Sequence, residues 1–304
     1  MIAKIILTVV VIVALLGGIK AYFVVRAAQQ LAHTLLYPQR IRPQQTPADF
    51  GFADWEDVRF ENGELELAGW FIPPVEGADG ATLILLHGWS ANRSELLDQA
   101  QLLHRHGYGI LAIDLRGHGD SGAAASTWGL AEVSDVQAGV DYLLTRPEVD
   151  PERLGVVGHS MGAATAILAA AQIPRLKVVV AESSYTALTD NLANIINLLG
   201  GYPAYYAPLV LRLMERDTGL SLGEIQPIAG VARISPRAVL LVQGEADTVV
   251  NPGHARRLFE AAAEPKQLYL VPGAGHGEVF SADPAGFEQQ VVPFLDRYLG
   301  QQAQ

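Results

Sequence analysis

From Ala81 almost to the end of the chain, short apolar runs recur at intervals filled by helix-length segments: "TLILLH", "GILAID", "LGVVGHS", "VVVAES", "AVLLVQG" and "QLYLVPG". Runs this short and this uniformly apolar read as strands buried on both faces, and parallel strands need a helix-length crossover between them. The pattern predicts an α/β fold, a mostly parallel sheet with helices on both faces. Helices are expected over residues 94–106, 130–145, 161–173, 254–263 and 284–299. Upstream, "WEDVRF" and "LELAGWFI" flank Asn62-Gly63, the signature of an antiparallel hairpin opening the sheet, which gives eight strands in all.

The folded body is expected over residues 54–300. One interval in it is too long for a simple crossover: about 50 residues separate "VVVAES" from "AVLLVQG", well beyond ordinary loop lengths. This stretch, about 184–235, contains aromatic-rich "GGYPAYYAPLVLRLM" and reads as a small helical cap, either a lid or a satellite packing layer.

The N-terminus is of another kind. "IILTVVVIVALLGGI", Ile5 to Ile19, extends through Val25 if Lys20 snorkels, which is long enough to cross a bilayer. "GGIKAYF" places a large isoleucine and a lysine where a cleavage site needs small residues, so residues 1–27 read as an uncleaved transmembrane anchor in preference to a signal peptide. Lys20 and Arg26 after the span lean the body toward the cytoplasm, against Lys4 and the terminal amine before it. Residues 28–53, which include Pro- and Gln-rich "YPQRIRPQQTPADFGF", read as a neck or linker.

A net charge of −11 with all basic excess in the first 45 residues leaves an acidic body, which disfavours nucleic acid as a partner. The chain has no cysteine, so thiol nucleophiles, disulfides and thiolate metal sites are excluded. Any chemistry must come from oxygen and nitrogen groups.

In an open parallel sheet such groups belong at the carboxyl ends of strands. Ser160 stands there, between Gly158 and Gly162 in "GHSMG", where a sharp strand-to-helix turn demands small neighbours. A serine hydroxyl needs a base and an orienting acid. Asp247 follows the "AVLLVQG" strand and His276 follows the next, giving the order Ser, Asp, His. Glu182 is held as a reserve acid, Glu245 is a further alternative, and Asp247 has a rival reading as a helix cap. His276 lies in a glycine-rich loop with few packing duties, and its type of side chain titrates near neutrality. His118 is a weaker candidate base.

A metal held by His276 and Glu278 lacks further ligands at suitable spacing, so neither metal nor cofactor is expected. The amides of Trp89 and Met161 are the candidate oxyanion hole, with Gly88 letting the chain bend; the alternative is an ordinary turn with the Trp89 indole covering the core. "DLRGHGDSG" is read as structural, with Arg116 and Asp114 pairing locally.

Together "HGWSANR", "DLRGHGDSG", "GHSMG", "GEAD" and "GAGH" resemble the α/β-hydrolase superfamily over about residues 54–300. With the anchor, the neck and "LELAGWFIPP", the chain resembles membrane-tethered bacterial hydrolases of the serine aminopeptidase and prolyl-oligopeptidase-like esterase groups. The resemblance implies an α/β-hydrolase fold, Ser160 as nucleophile, His276 as base, Asp247 as orienting acid, and Trp89 with Met161 as oxyanion amides. The sequence departs from that pattern in having Asn62-Gly63 in the opening hairpin and Ala163 after the elbow glycine, and it lacks the β-propeller of the oligopeptidases.

The expected activity is hydrolysis of an ester or related acyl bond through an acyl-enzyme. A lipid-like or otherwise hydrophobic acyl substrate fits the apolar cap beside the anchor. The alternatives are a small-peptide peptidase, a thioesterase, or a membrane-tethered binding protein without activity.

Overall fold

The computed structural model describes residues 1–300. Its helices are α1 (Ile2–Leu36), α2 (Leu97–Arg105), α3 (Glu132–Leu143), α4 (Met161–Ala170), α5 (Leu188–Gly200), α6 (Ala207–Thr218), α7 (Pro227–Val231), α8 (Gly253–Ala261), α9 (Val279–Ala282) and α10 (Pro284–Leu299). The strands β1 (Glu56–Asn62), β2 (Leu65–Ile72), β3 (Thr82–Leu86), β4 (Gly109–Ile113), β5 (Leu154–His159), β6 (Leu176–Glu182), β7 (Ala238–Gly244) and β8 (Lys266–Val271) form one sheet. Their order is β1-β2-β4-β3-β5-β6-β7-β8. β1 with β2 and β2 with β4 are antiparallel, while every pair from β4 to β8 is parallel.

The period-2 alternation of side chains divides the core into two layers. Along β3, Ile84 and Leu86 pack with Val136 of α3 and the alanines of α4, whereas Leu83 and Leu85 pack with Leu97 of α2 and Phe287 of α10. α4 is buried along its whole length, which its "MGAATAILAA" composition permits, since alanines let a helix lie close on the sheet. The long interval between β6 and β7 holds α5, α6 and α7, the helical cap segment.

The N-terminal half of α1 is apolar and exposed, with a window of mean hydropathy 2.4 that is long enough to cross a membrane. The expected change to a linker after residue 27 does not occur, because the helix runs unbroken to Leu36. Val24, Ala27, Ala28, Leu31, Ala32 and Leu35 fall at i, i+3, i+4, i+7, i+8 and i+11, one helical face, and that face joins the core. α1 packs closely on α6 of the cap. Full burial is worth about 1.5–3 kcal/mol for a leucine side chain, so Leu31, Leu35 and Leu36 alone fix the segment to the body. Only the part beyond Tyr37 is irregular, apart from a short 3-10 turn at Pro47–Phe50.

The loop after β4 is also organised differently from the expected Arg116–Asp114 pair. Asp114 is fully buried and holds the guanidinium and the amide of Arg93 together with the amide of Asp120. Arg116 turns to Asp135 of α3 instead, at 2.7 Å. The Arg93 guanidinium also lies 4.4 Å over the ring of Trp70 in β2, so one charge joins the loops after β3 and β4 to that strand.

Removing one partner of a buried pair leaves the other uncompensated, so Asp114→Ala should lower stability by about 3–5 kcal/mol. Chemical denaturation checks this, with Arg59→Ala, an exposed pair with Glu66, as a comparison expected to cost under about 1 kcal/mol.

Candidate active site

The site starts from a backbone constraint between β5 and α4. Ser160 sits at φ 55°, ψ −113°, a sparsely populated region for a residue with a side chain. Its amide donates to the Glu182 carbonyl at 2.8 Å, which pins the turn to the end of β6. A Cβ at Gly158 would collide with the Gly162 carbonyl, and one at Gly162 with the Leu86 carbonyl, so both glycines are required by close backbone approach. The turn lifts the Ser160 side chain into a cavity above the sheet.

Three loops converge on that hydroxyl. His276, from the loop after β8, has Nε2 3.0 Å from Ser160 Oγ and Nδ1 2.8 Å from Asp247 Oδ2. With Nδ1–H donating to the carboxylate, Nε2 is left to accept the serine proton. Asp247 is held from every side: its Oδ1 accepts the amides of Val249 and Val250, both at 2.8 Å, and Oδ2 accepts Gln243 Nε2 at 2.9 Å. Burial, the largest influence, would raise the Asp247 carboxyl, but the His276 hydrogen bond and charge and the two amides outweigh it and keep it below its ordinary value. The residue therefore shapes its turn and faces the histidine at once.

The competing acids go elsewhere. Glu182 is buried and accepts Gln99 Nε2 at 3.0 Å, with no bond to His276. Burial pushes its carboxyl up to about 7. Glu245 lies at the surface near Arg256, and Glu278 accepts the Gly275 amide. His118 is buried beneath the loop after β4, where burial and the neighbouring His87 push it down to about 3.

The Gly88–Trp89 turn adjoins the elbow: a Cβ at Gly88 would lie 3.4 Å from the Ser160 Cβ. Among the described residues the amides of Trp89 and Met161 make no hydrogen bond, unlike their neighbour Gly88. Glu95 accepts the Gly88 amide at 2.6 Å, while its other oxygen lies 3.3 Å from His159 Nδ1. Burial would raise the Glu95 carboxyl, yet the His159 hydrogen bond and charge with the Gly88 amide hold it at about 2. Burial likewise works against a charged His159, and Glu95 and Glu182 reverse it.

The cavity around Ser160 and His276 has a volume of about 270 Å³. Its walls are mainly apolar, with Trp89, Trp128, Ile195, Leu198, Leu199 and Val249 prominent. The last-named leucines come from the end of α5, so the cap segment forms part of the wall. Trp128, Tyr185 and Glu95 were not among the sequence candidates. Glu95 follows Gly88 by seven residues in the same irregular loop between β3 and α2, and Trp128 stands before Gly129 in another irregular loop, so neither carries a periodic or motif signal.

Parallel-sheet proteins that carry a serine on such a turn, with histidine and acid supplied by later strand ends, are serine hydrolases of the α/β-hydrolase fold, and this chain is one. It belongs to the prolyl oligopeptidase family, whose model matches residues 95–302. An uncharacterized protein of Mycobacterium tuberculosis is 32% identical over 214 residues, covering 70% of this chain and 69% of that one. The uncharacterized protein YfhR of Escherichia coli K12 is 30% identical over 248 residues, 79% of this chain and 80% of YfhR. Among solved structures, the esterase Pf2001 of Pyrococcus furiosus superposes with a TM-score of 0.73 at 26% identity, covering 88% of this chain and 99% of the esterase.

The buried acid behind the site has a measurable consequence. The folded state holds the Glu182 proton up to about pH 7, whereas the ordinary glutamate value is 4.5. Between those values the folded state binds more protons than the unfolded chain, so stability falls as pH rises. Melting temperatures taken from about pH 5 to about pH 8 should fall less steeply in Glu182→Gln than in the native protein.

Proposed function

We propose that the protein hydrolyses carboxylic esters with apolar acyl groups while tethered to a membrane by α1. Ser160 Oγ attacks the acyl carbon as His276 Nε2 takes its proton, and the amides of Trp89 and Met161 hold the oxyanion. His276 returns the proton to the departing alkoxide, which leaves an acyl group on Ser160. Water, deprotonated by the same histidine, then attacks the acyl carbon, and the acid departs as Ser160 recovers its proton. Asp247 fixes the imidazole and favours its charged form during both steps.

The observation that carries this reading is the hydrogen-bonded chain from Ser160 through His276 to Asp247, opening onto an apolar cavity. The ester preference is supported by that lining and by likeness to the Pyrococcus esterase. The tether is supported by the exposed apolar half of α1. Reaction with small peptides or thioesters is the competing outcome.

A fluorophosphonate probe should label the native protein and leave Ser160→Ala unlabelled. Nitrophenyl esters of graded chain length should turn over faster than aminoacyl anilides, and anilides outpacing every ester would reverse the substrate assignment. Asp247→Asn should lower kcat by about 10⁴-fold, as expected when the imidazole loses its orienting carboxylate.

A further inference from the structure

The end of α1 is satisfied in an unusual way. A helix leaves its last carbonyls without partners inside the helix, and these normally go to water or to the local chain. Here the last two, of Leu35 and Leu36, go to the loops that carry Trp89 and Trp128. Trp89 Nε1 donates to the Leu35 carbonyl at 3.0 Å, and Trp128 Nε1 donates to the same oxygen at 3.2 Å. The Ser126 amide takes the Leu36 carbonyl at 2.7 Å.

The two indoles that share Leu35 also stack on each other, 5.4 Å between centroids and 20° from parallel, and both line the cavity. Their backbones need support: Ser90, next to Trp89, and Trp128 itself have left-handed φ values of 64° and 59°. The same network reaches the other side of the site. The Tyr185 hydroxyl donates to the Trp128 carbonyl at 2.6 Å, and Ser126 Oγ lies 3.3 Å from Met161 Sδ. Both residues whose amides are assigned to the oxyanion hole are thus tied, directly or through Ser126, to the last turn of α1.

We propose that the last turn of α1 is a positioning element of the active site, a strut that holds the Trp89–Trp128 pair and with it the oxyanion loop. One helix then serves two ends: its exposed half is the tether, and its docked half sets the loop facing Ser160. The proposal rests on the assignment of Trp89 and Met161 to the oxyanion hole.

The test uses the full chain in one detergent, with a short soluble nitrophenyl ester. Trp89→Phe and Trp128→Phe each keep a ring against the cavity and remove one donor, so either alone leaves Leu35 one partner. Each should lower kcat by no more than about threefold. The double variant orphans the carbonyl and should lower kcat by about tenfold or more, with KM changed less than about twofold, a coupled effect of residues sharing one acceptor.

Ala32→Leu crowds the docked face one turn before the strut without entering the cavity and should reproduce the fall in kcat. Gly17→Ala, in the exposed half with open space around its Cα, should change nothing. A folded double variant with kcat within about twofold of native, or one in which only KM rises, would overturn the strut. If the double variant does not fold, unchanged kcat in a folded Ala32→Leu does so instead. The same variants are also read by their rates of fluorophosphonate labelling. Native protein that labels but turns over no ester sinks the ester assignment, and the strut is then judged on the labelling rates.

Discussion

Everything in the site depends on one backbone turn. Ser160 occupies a strained conformation because β5 ends, α4 begins and the chain reverses within a single residue. Such strain persists only where the surroundings over-determine it. They do so here through the Gly158 and Gly162 backbone contacts, the Glu182 carbonyl that takes the Ser160 amide, and an alanine-rich helix sunk against the sheet. The cost of the turn delivers a hydroxyl above the strand ends, where loops from β3, β7 and β8 can meet it.

The electrostatics around that turn separate Asp247 from Glu182, the acid that the sequence offers in reserve. Asp247 is ringed by donors, so it stays ionised beside the imidazole. Glu182 lies one strand over, where the Gln99 hydrogen bond and the nearby His159 offset burial only in part, and its carboxyl rises to about 7. A second pair, Glu95 with His159, ties the Gly88 turn to the elbow residue that precedes the serine. The result is a graded set of carboxyls, held below the ordinary value where backbone amides and an imidazole surround Asp247 and raised where burial dominates at Glu182.

Much of this was legible in the sequence because it is written in local signals. The eight strands, the Ser160 elbow and the placing of Asp247 and His276 after consecutive strands all follow from apolar period, glycine spacing and chain order. Residues 28–36 of α1 read in the sequence as neck and not as helix, since the six-residue stripe they share with Val24 and Ala27 is short and sits between an overwhelmingly apolar run and a proline-rich segment. Read at helical spacing, Val24 to Leu35 would have shown it. The partners of Arg116 and Asp114 were misassigned because pairing depends on which loops the topology brings together: Arg93 lies 21 residues before Asp114, and Asp135 lies 19 after Arg116. Trp128 and Tyr185 carry no sequence signal, as their contacts exist only once the cap, the end of α1 and the Gly88–Trp89 turn share a wall.

The central claim is that Ser160 carries the acyl group between the two half-reactions. Acid quenching during turnover of a nitrophenyl ester, followed by mass spectrometry of the digested chain, tests it most directly. The account predicts an acyl mass increment on the peptide containing Ser160, present during turnover and gone once the ester is exhausted. Turnover with no increment there, or with the acyl group on another residue, would contradict it.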